Sequence, residues 1–254
     1  MEGWSYQRLP LPPELLEETT RALGASGFFG ANVTIPHKQA ALAIADRASD
    51  AARAIGAANT LTFTPDGGIE AQNTDAPGLL AALGRLTGMP AHPSALVLGA
   101  GGSARAVVWA LLDAGAASVA LWNRTPERAR DLARELGAQA VARPVQAELL
   151  VNCTSVGLQR SATDEAALNQ LDLSADQVGR YEYVVDLVYR GSSHPGPAPP
   201  TPLLAAARSR GASTVGGLEV LVAQGALSFE HWTGRPAPLV AMRAGAELED
   251  TAGP

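Results

Sequence analysis

Lys38 is the only lysine in the chain; the other eighteen basic residues are arginines. A guanidinium stays protonated inside a protein, whereas a lysine amine can be brought to exchange its proton. Proton transfer by an amine side chain therefore has one candidate. Lys38 follows Pro36-His37 and falls in the first turn of an alanine-rich helical segment, where the helix dipole disfavours a cation. Asp75, in Asn73-Thr74-Asp75, stands at the start of another helix, where the dipole favours a carboxylate. The two read as an acid–base pair. A surface lysine is the plain alternative for Lys38 and an N-cap for Asp75, and the sequence leaves the second of these open. Asn32, Thr34, Asn59, Asn73 and Thr74 sit near predicted strand ends, the edge at which open α/β sheets bind ligands. Each alone fits a cap or turn; together they suit a substrate rich in hydroxyls.

A second constellation is Gly99-Ala100-Gly101-Gly102-Ser103-Ala104, which follows the apolar run ALVL and opens a helical stretch. It satisfies G-x-G-x-x-[GA] in the strand–turn–helix context that a dinucleotide site requires: one glycine for the tight turn, one for close approach of a pyrophosphate, and helix N–H donors. Glycines in a merely tight βα turn are the plain alternative. The next strand ends in Asn123-Arg124-Thr125, with Arg128 one helical turn on, where an NAD site usually carries a carboxylate. Arginines at a helix start oppose the dipole, so a ribose 2′-phosphate, and hence NADP, is the favoured reading over an ordinary exposed pair.

These residues need elements to position them. PPELLEETTRALGAS (12–26) predicts a helix, and GANVTIP (30–36) a strand with Val33 and Ile35 on one face. A single helix is expected over about 38–54, then a hairpin turning at Asp66-Gly67-Gly68 and a helix from about residue 75. MPAHPS marks a boundary. Beyond it SALVLGA, ASVALWN, AELLVN, YEYVVDLVY and STV read as strands. Helices are expected at 102–114, 126–136, 201–211, about 217–231 and 239–249, with a Pro/Gly loop at 190–200. Such alternation predicts a doubly wound parallel sheet. The expected fold is α/β with two domains: a substrate-binding domain of residues 1–90 plus 218–254, and a Rossmann-like NADP domain over 91–217.

Composition excludes several classes. The 254 residues are 46% hydrophobic and carry a net charge of −6, with no basic block, which argues against a nucleic-acid partner. Cys153 is alone and the four histidines are scattered, so no metal site is expected. The most apolar stretch, 94–122, is interrupted by glycines, Arg105 and Asp113, and no membrane span or signal peptide is expected. The chain reads as cytoplasmic. Thiolate and imidazole clusters of zinc alcohol dehydrogenases are missing, and the Tyr-x-x-x-Lys pair of short-chain dehydrogenases is not met, since Thr34 stands four residues before Lys38.

NVTIPHK (32–38), GAANTL (56–61), NTDAPG (73–78), GAGGSARA (99–106), NRT (123–125), NCTSVG (152–157), DLVY (186–189), TPLL (201–204) and GLEVLVAQGALSFEHWTG (217–234) together resemble the shikimate dehydrogenase family, in family order. The resemblance implies NADPH-dependent, reversible reduction of 3-dehydroshikimate in aromatic amino-acid biosynthesis, by a monomer or homodimer acting on a small molecule. It implies that Lys38 exchanges a proton with the C3 oxygen and that Asp75 orients the same hydroxyl and holds Lys38. Thr34, Asn59, Tyr189 and Gln224 would bind the ring hydroxyls and carboxylate region. Gly99, Ala100, Gly101, Gly102, Ser103, Asn123, Arg124, Thr125, Arg128, Leu187 and Gly217 would hold NADP, with Asp50 near the nicotinamide half.

The family opens with a strand and a Ser-x-Ser-Pro segment whose serines hold the substrate carboxylate. This sequence enters the pattern at about Trp4-Ser5-Tyr6, so the substrate domain is expected to lack its first strand and helix. Two alternatives follow: a quinate/shikimate dehydrogenase, or an NADP-binding protein of low turnover.

Overall fold

The regular apolar runs after residue 94 fold as a six-stranded parallel sheet. In this computed structural model, which describes residues 4–159, 163–189, 199–246 and 248, its order is β10-β9-β8-β5-β6-β7. The strands are β5 (Ser94–Leu98), β6 (Ser118–Trp122), β7 (Gln139–Ala140), β8 (Leu149–Asn152), β9 (Tyr183–Asp186) and β10 (Ser213–Gly216). Strand side chains alternate between faces. Ala95 and Val97 of β5 join one buried cluster with α4 (Asp75–Leu83), α5 (Gly102–Asp113) and α6 (Pro126–Leu136). Leu96 and Leu98 join a second, with α7 (Asp164–Asn169), α8 (Ala175–Val178) and α9 (Pro202–Ser209). The chain leaves β5 for β6 on one side while β8 lies on the other, so the loop after β5 opens at the point where the winding reverses, the place such sheets bind ligands.

The residues before 94 build a smaller mixed sheet of order β1-β3-β4-β2. Its strands are β1 (Gly30–Asn32), β2 (Arg47–Ala48), β3 (Thr60–Phe63) and β4 (Ile69–Gln72), joined with α1 (Leu16–Ala25), α2 (Lys38–Ala43) and α3 (Asp50–Ile55). The long helix α10 (Gly217–Thr233) returns from the other end of the chain and packs along α4; a methyl placed on Gly78 would stand 2.8 Å from Gln224 Cβ. A short α11 (Leu239–Gly245) is clamped to it by Arg243, whose two Nη atoms donate to Glu219 at 2.7 and 3.1 Å. No helix of the described residues is long and apolar enough to cross a membrane.

Several expectations need correction. The strand at 30–36 ends at Asn32, because the chain turns at once: His37 N–H bonds Thr34 O at 2.8 Å, and Ile35 is left 65% exposed rather than sharing a buried face with Val33. The single helix over 38–54 is two. Ser49 Oγ caps Ala52 N–H at 3.2 Å and starts α3, while Asp46 Oδ2 accepts Ile69 N–H at 2.8 Å and steers Arg47-Ala48 into the sheet. Strand β7 and helices α7 and α8 were not expected; Thr163 and Ser174 cap the two helices, the latter in a full capping box with Gln177. The last helix stops at Gly245, with 247 and 249 outside the described residues, as is 190–198 of the expected Pro/Gly loop. Residues 4–12 form no strand, and the first element is a 3-10 turn, Pro13–Leu15.

Candidate active site

Helix α2 begins at Lys38 itself, so the lysine leaves the helix at its first turn and points across to the other sheet. Its side chain is only 10% exposed. Nζ donates to Asp75 Oδ2 at 2.8 Å and to Ser103 Oγ at 2.9 Å. The lysine stem lies against Gly102, where a Cβ would come within 3.0 Å of Lys38 Cβ. Asp75 is the first residue of α4, yet its carboxylate does not cap the helix: Asn73 Oδ1 takes that role, accepting Ala76 N–H at 3.1 Å. The cap reading of Asp75 is therefore overturned, and its carboxylate faces Lys38 and Asn59. A buried ion pair persists only when its remaining hydrogen-bonding capacity is met. Here Asn59 Nδ2 stands 3.0 Å from Asp75 Oδ1, and Ser103 takes a second ammonium hydrogen.

Behind the pair lies a buried polar network. Asn59, 2% exposed, sits just before β3. Its Oδ1 accepts Thr74 N–H at 2.7 Å, and its Nδ2 also lies 2.9 Å from Thr74 Oγ1 and 3.1 Å from Gln224 Oε1. Ser228 Oγ, fully buried on α10, meets Thr60 Oγ1 at 2.9 Å and accepts from Asn32 Nδ2 at 2.9 Å. These contacts fix Asn59, Asp75 and Gln224 relative to one another through α4, α10 and two strands.

The cofactor loop has the shape its sequence requires. Gly99 adopts φ +107°, and a side chain there would press on the Cys153 carbonyl at 3.2 Å. At Gly101, the N-cap of α5, an added methyl would meet nothing within 4 Å, and no side chain caps the helix. An open cradle before free helix N–H groups fits a pyrophosphate. Asn123, Arg124, Thr125 and Arg128 follow β6 around the start of α6. Arg124, Thr125 and Arg128 are exposed, and Asn123 Nδ2 donates to Thr125 O at 2.9 Å. Leu187 and Gly217 meet: a Cβ on Gly217 would stand 2.5 Å from Leu187 O, so glycine lets α10 start against the end of β9.

Other expected residues are less engaged. Thr34 is exposed in the turn before α2, with no hydrogen bond to its hydroxyl among the described residues. Asp50 is fully exposed at the start of α3, paired with Arg53 and not brought to the Lys38 cluster. Tyr189 is 44% exposed. Near it is a residue that the sequence did not single out. Tyr6 OH donates to Asn32 Oδ1 at 3.1 Å, and loss of water around that hydroxyl, with Tyr189 adding, raises its pKa. The Cys153 thiol is held well above its usual range by burial, opposed by Lys38 and reinforced by Asp186 and Asp75, so it stays a neutral thiol. Ser228 and Arg105 were also missed. Ser228 lies four residues after Gln224, the spacing that puts two side chains on one helix face. Arg105 of α5 crosses to the smaller sheet's side, donating from Nε to Ile55 O at 2.7 Å and pairing with Glu135.

Three family models match in sequence: the shikimate dehydrogenase substrate binding domain over residues 2–61, shikimate / quinate 5-dehydrogenase over 85–163, and the shikimate 5′-dehydrogenase C-terminal domain over 217–244. A shikimate dehydrogenase (NADP(+)) of Acidiphilium cryptum is 46% identical over 237 residues, spanning 91% of this chain and 80% of the relative. The chain belongs to the shikimate dehydrogenase family. Among solved structures, the family's enzyme from Thermus thermophilus, in complex with NADP(H) and shikimate, superposes with a TM-score of 0.77 at 40% identity, covering 93% of this chain and 84% of that one. The fold also carries a different named activity: a 5-ketofructose reductase of Gluconobacter sp. strain CHM43 superposes at 0.73 with 29% identity, covering 94% and 85%.

Proposed function

We infer that this protein is an NADP-dependent shikimate dehydrogenase, reducing 3-dehydroshikimate reversibly to shikimate. The observation that carries the reading is the enclosed Lys38–Asp75 pair, set beside the start of α5 in a chain of this family. Bound NADPH supplies a hydride to the carbonyl carbon. Lys38 Nζ delivers the proton that the carbonyl oxygen then needs, and receives it back in the oxidation direction. Asp75 aims the amine and accepts from the same substrate hydroxyl. Asn59, Thr34, Tyr189 and Gln224 bind the remaining ring hydroxyls and carboxylate region. The backbone of Gly99–Ser103 cradles the pyrophosphate, Leu187 and Gly217 border the cofactor, and Asp50 stands near its nicotinamide half.

Arg124, with Asn123, Thr125 and Arg128, takes the 2′-phosphate. A guanidinium beside an exposed helix start, where the one first-turn carboxylate, Glu127, is paired with Arg130, suits that dianion. In this reading residues 1–90 and 218–254 form the substrate domain and 91–217 the cofactor domain. The test is a fluorescence titration with NADPH followed by an assay of shikimate oxidation, with quinate in parallel. Saturable NADPH binding and NADP-dependent oxidation of shikimate are expected. Binding without oxidation of either compound would overturn the assignment in favour of a cofactor-binding protein of low turnover.

A further inference from the structure

Lys38 has three ammonium hydrogens and two partners among the described residues, and those partners come from two different helices. Asp75 begins α4, which follows the four-stranded sheet, and Ser103 belongs to α5, which opens from the end of β5 and packs with α4 in one buried cluster. One acceptor leaves a four-carbon side chain free to swing. Two acceptors on different helices fix the direction of Nζ, and so the direction in which its third hydrogen points. The lysine stem resting on Gly102 narrows the choice further, since any larger residue there would press on it.

We propose that Ser103 is a positioning residue for Lys38: its hydroxyl, rather than serving the cofactor, holds the amine toward the substrate oxygen. This rests on the reading of Lys38 as the proton-transferring group. Ser103 is half-buried at the second position of α5, so its backbone N–H still faces the cradle at Gly101 while its Oγ is committed to Nζ. The side chain can therefore be removed without removing the donor expected to meet a pyrophosphate. Because Lys38 is joined to each of these two packed helices through a single hydrogen bond, its aim depends on the spacing between α4 and α5, and Ser103 is the point at which α5 sets it.

The chain's single lysine makes the test direct, because protein labelled with lysine carrying ¹⁵N at the ζ position gives one side-chain nitrogen signal. Replacing Ser103→Ala should lower kcat for shikimate oxidation roughly ten- to a hundredfold, the loss expected for one hydrogen bond to a charged group. NADPH affinity should stay within about twofold, and the ζ-nitrogen signal should shift or broaden. Ser103→Thr, which keeps the hydroxyl, should restore most of the rate and the signal. An Ala variant with normal kcat and an unmoved signal overturns the inference, as does a loss confined to NADPH affinity, which would return the hydroxyl to the cofactor. Lys38→Ala is the separate control. If that variant keeps full activity, the assignment of Lys38 fails, whereas a normal Ser103→Ala beside an inactive Lys38→Ala removes only the role of Ser103.

Discussion

Strand β8, in the middle of the six-stranded sheet, reads Leu149-Leu150-Val151-Asn152 and is buried at every residue; β3, in the smaller sheet, reads Thr60-Leu61-Thr62-Phe63. A parallel strand covered by helices on both faces is apolar along its run, and polar burial comes only at the strand ends, where Asn152 Nδ2 donates to Asp186 Oδ1 at 2.9 Å. On β3 one face takes Leu61 into a small apolar cluster with Ala41, Ala58, Ile69 and Ala71. Thr60 joins a buried chain of hydroxyl and amide groups with Ser228, Thr74 and Asn32. The larger sheet is therefore held by area removed from water, and its ligand groups hang on loops at one edge. The smaller sheet spends part of its core on directional bonds that aim Asn59, Asp75 and Gln224. The difference locates specificity: the part that must recognise several hydroxyls is held together by the same kind of interaction it uses on the ligand.

The comparison breaks first at Lys38. Proton handling by a placed group contributes about 10²–10⁴ in rate, so Lys38→Ala should lower kcat on that scale with NADPH affinity unchanged. Lys38→Arg should do nearly as much harm, since it keeps charge in a group that does not give up its proton near neutral pH. Steady-state kinetics on the arginine variant decide the point, and a near-normal kcat would sink the assignment. On the cofactor side, Arg124→Ala should raise KM for NADP roughly ten- to a hundredfold, the equivalent of about 1.5–3 kcal/mol, and leave NAD almost untouched. Equal losses for both cofactors would make Arg124 structural.

Stability separates the two regions more finely. Leu150→Ala removes a fully buried side chain of the parallel sheet and should cost about 2–5 kcal/mol in denaturant unfolding, without altering KM for shikimate. Thr60→Val strips a hydroxyl from the network and leaves Ser228 and Asn32 short of a partner, at about 1–3 kcal/mol together with a change in KM. Two residues on, Thr62 Oγ1 is buried with no partner among the described residues, so Thr62→Val should be neutral or slightly stabilising. If the two valine variants behave alike, the network contributes nothing and the contrast between the sheets collapses.

The smallest effect expected is at the far edge of the larger sheet. Glu148 accepts from Ser94 N–H at 2.7 Å and from its Oγ at 2.9 Å, and these bonds, the backbone one first, hold its carboxyl below the usual range. A group with a depressed folded-state pKa stabilises above its unfolded value and loses that contribution as pH falls through the folded one. Glu148→Gln should thus lower Tm slightly at pH 7 and by less at pH 3. A deficit of equal size at both pH values would show that charge has no part in it.

Much of this was legible in the sequence, for physical reasons that can be named. Lys38 stood out because every other cation had become arginine, and Gly99–Gly102 because strand, turn and helix signals agreed around them. Five strands of the parallel sheet announced themselves in the sequence, and the two-residue β7, Gln139-Ala140, did not because it is too short and half polar. The break at Ser49 was legible too, as an N-cap before Asp50, but was masked by the alanines on either side. Lys38 with Ser103 and Arg105 with Ile55 were not legible. They are 65 and 50 residues apart and meet only because the two sheets are set side by side, which no local pattern encodes. Thr34 and Asp50 show the opposite case: the resemblance marked them, yet the protein alone gives them no partner in the Lys38 cluster.

The packing of α10 along α4 also orders events in time. Residues 75–83 complete their burial only when residues 217–233 exist, since Gly78 against Gln224 is a contact spanning more than half the chain. Contacts of long sequence separation form late, because the loop they close must first be ordered. The stretch between them, β5 to β10, closes its own sheet, by neighbours in sequence except where β8 returns to pair with β5. During synthesis the first part of the chain to emerge is then the last to be finished, and a released chain ending at residue 216 would carry every strand of the six-stranded sheet beside a partner that lacks α10.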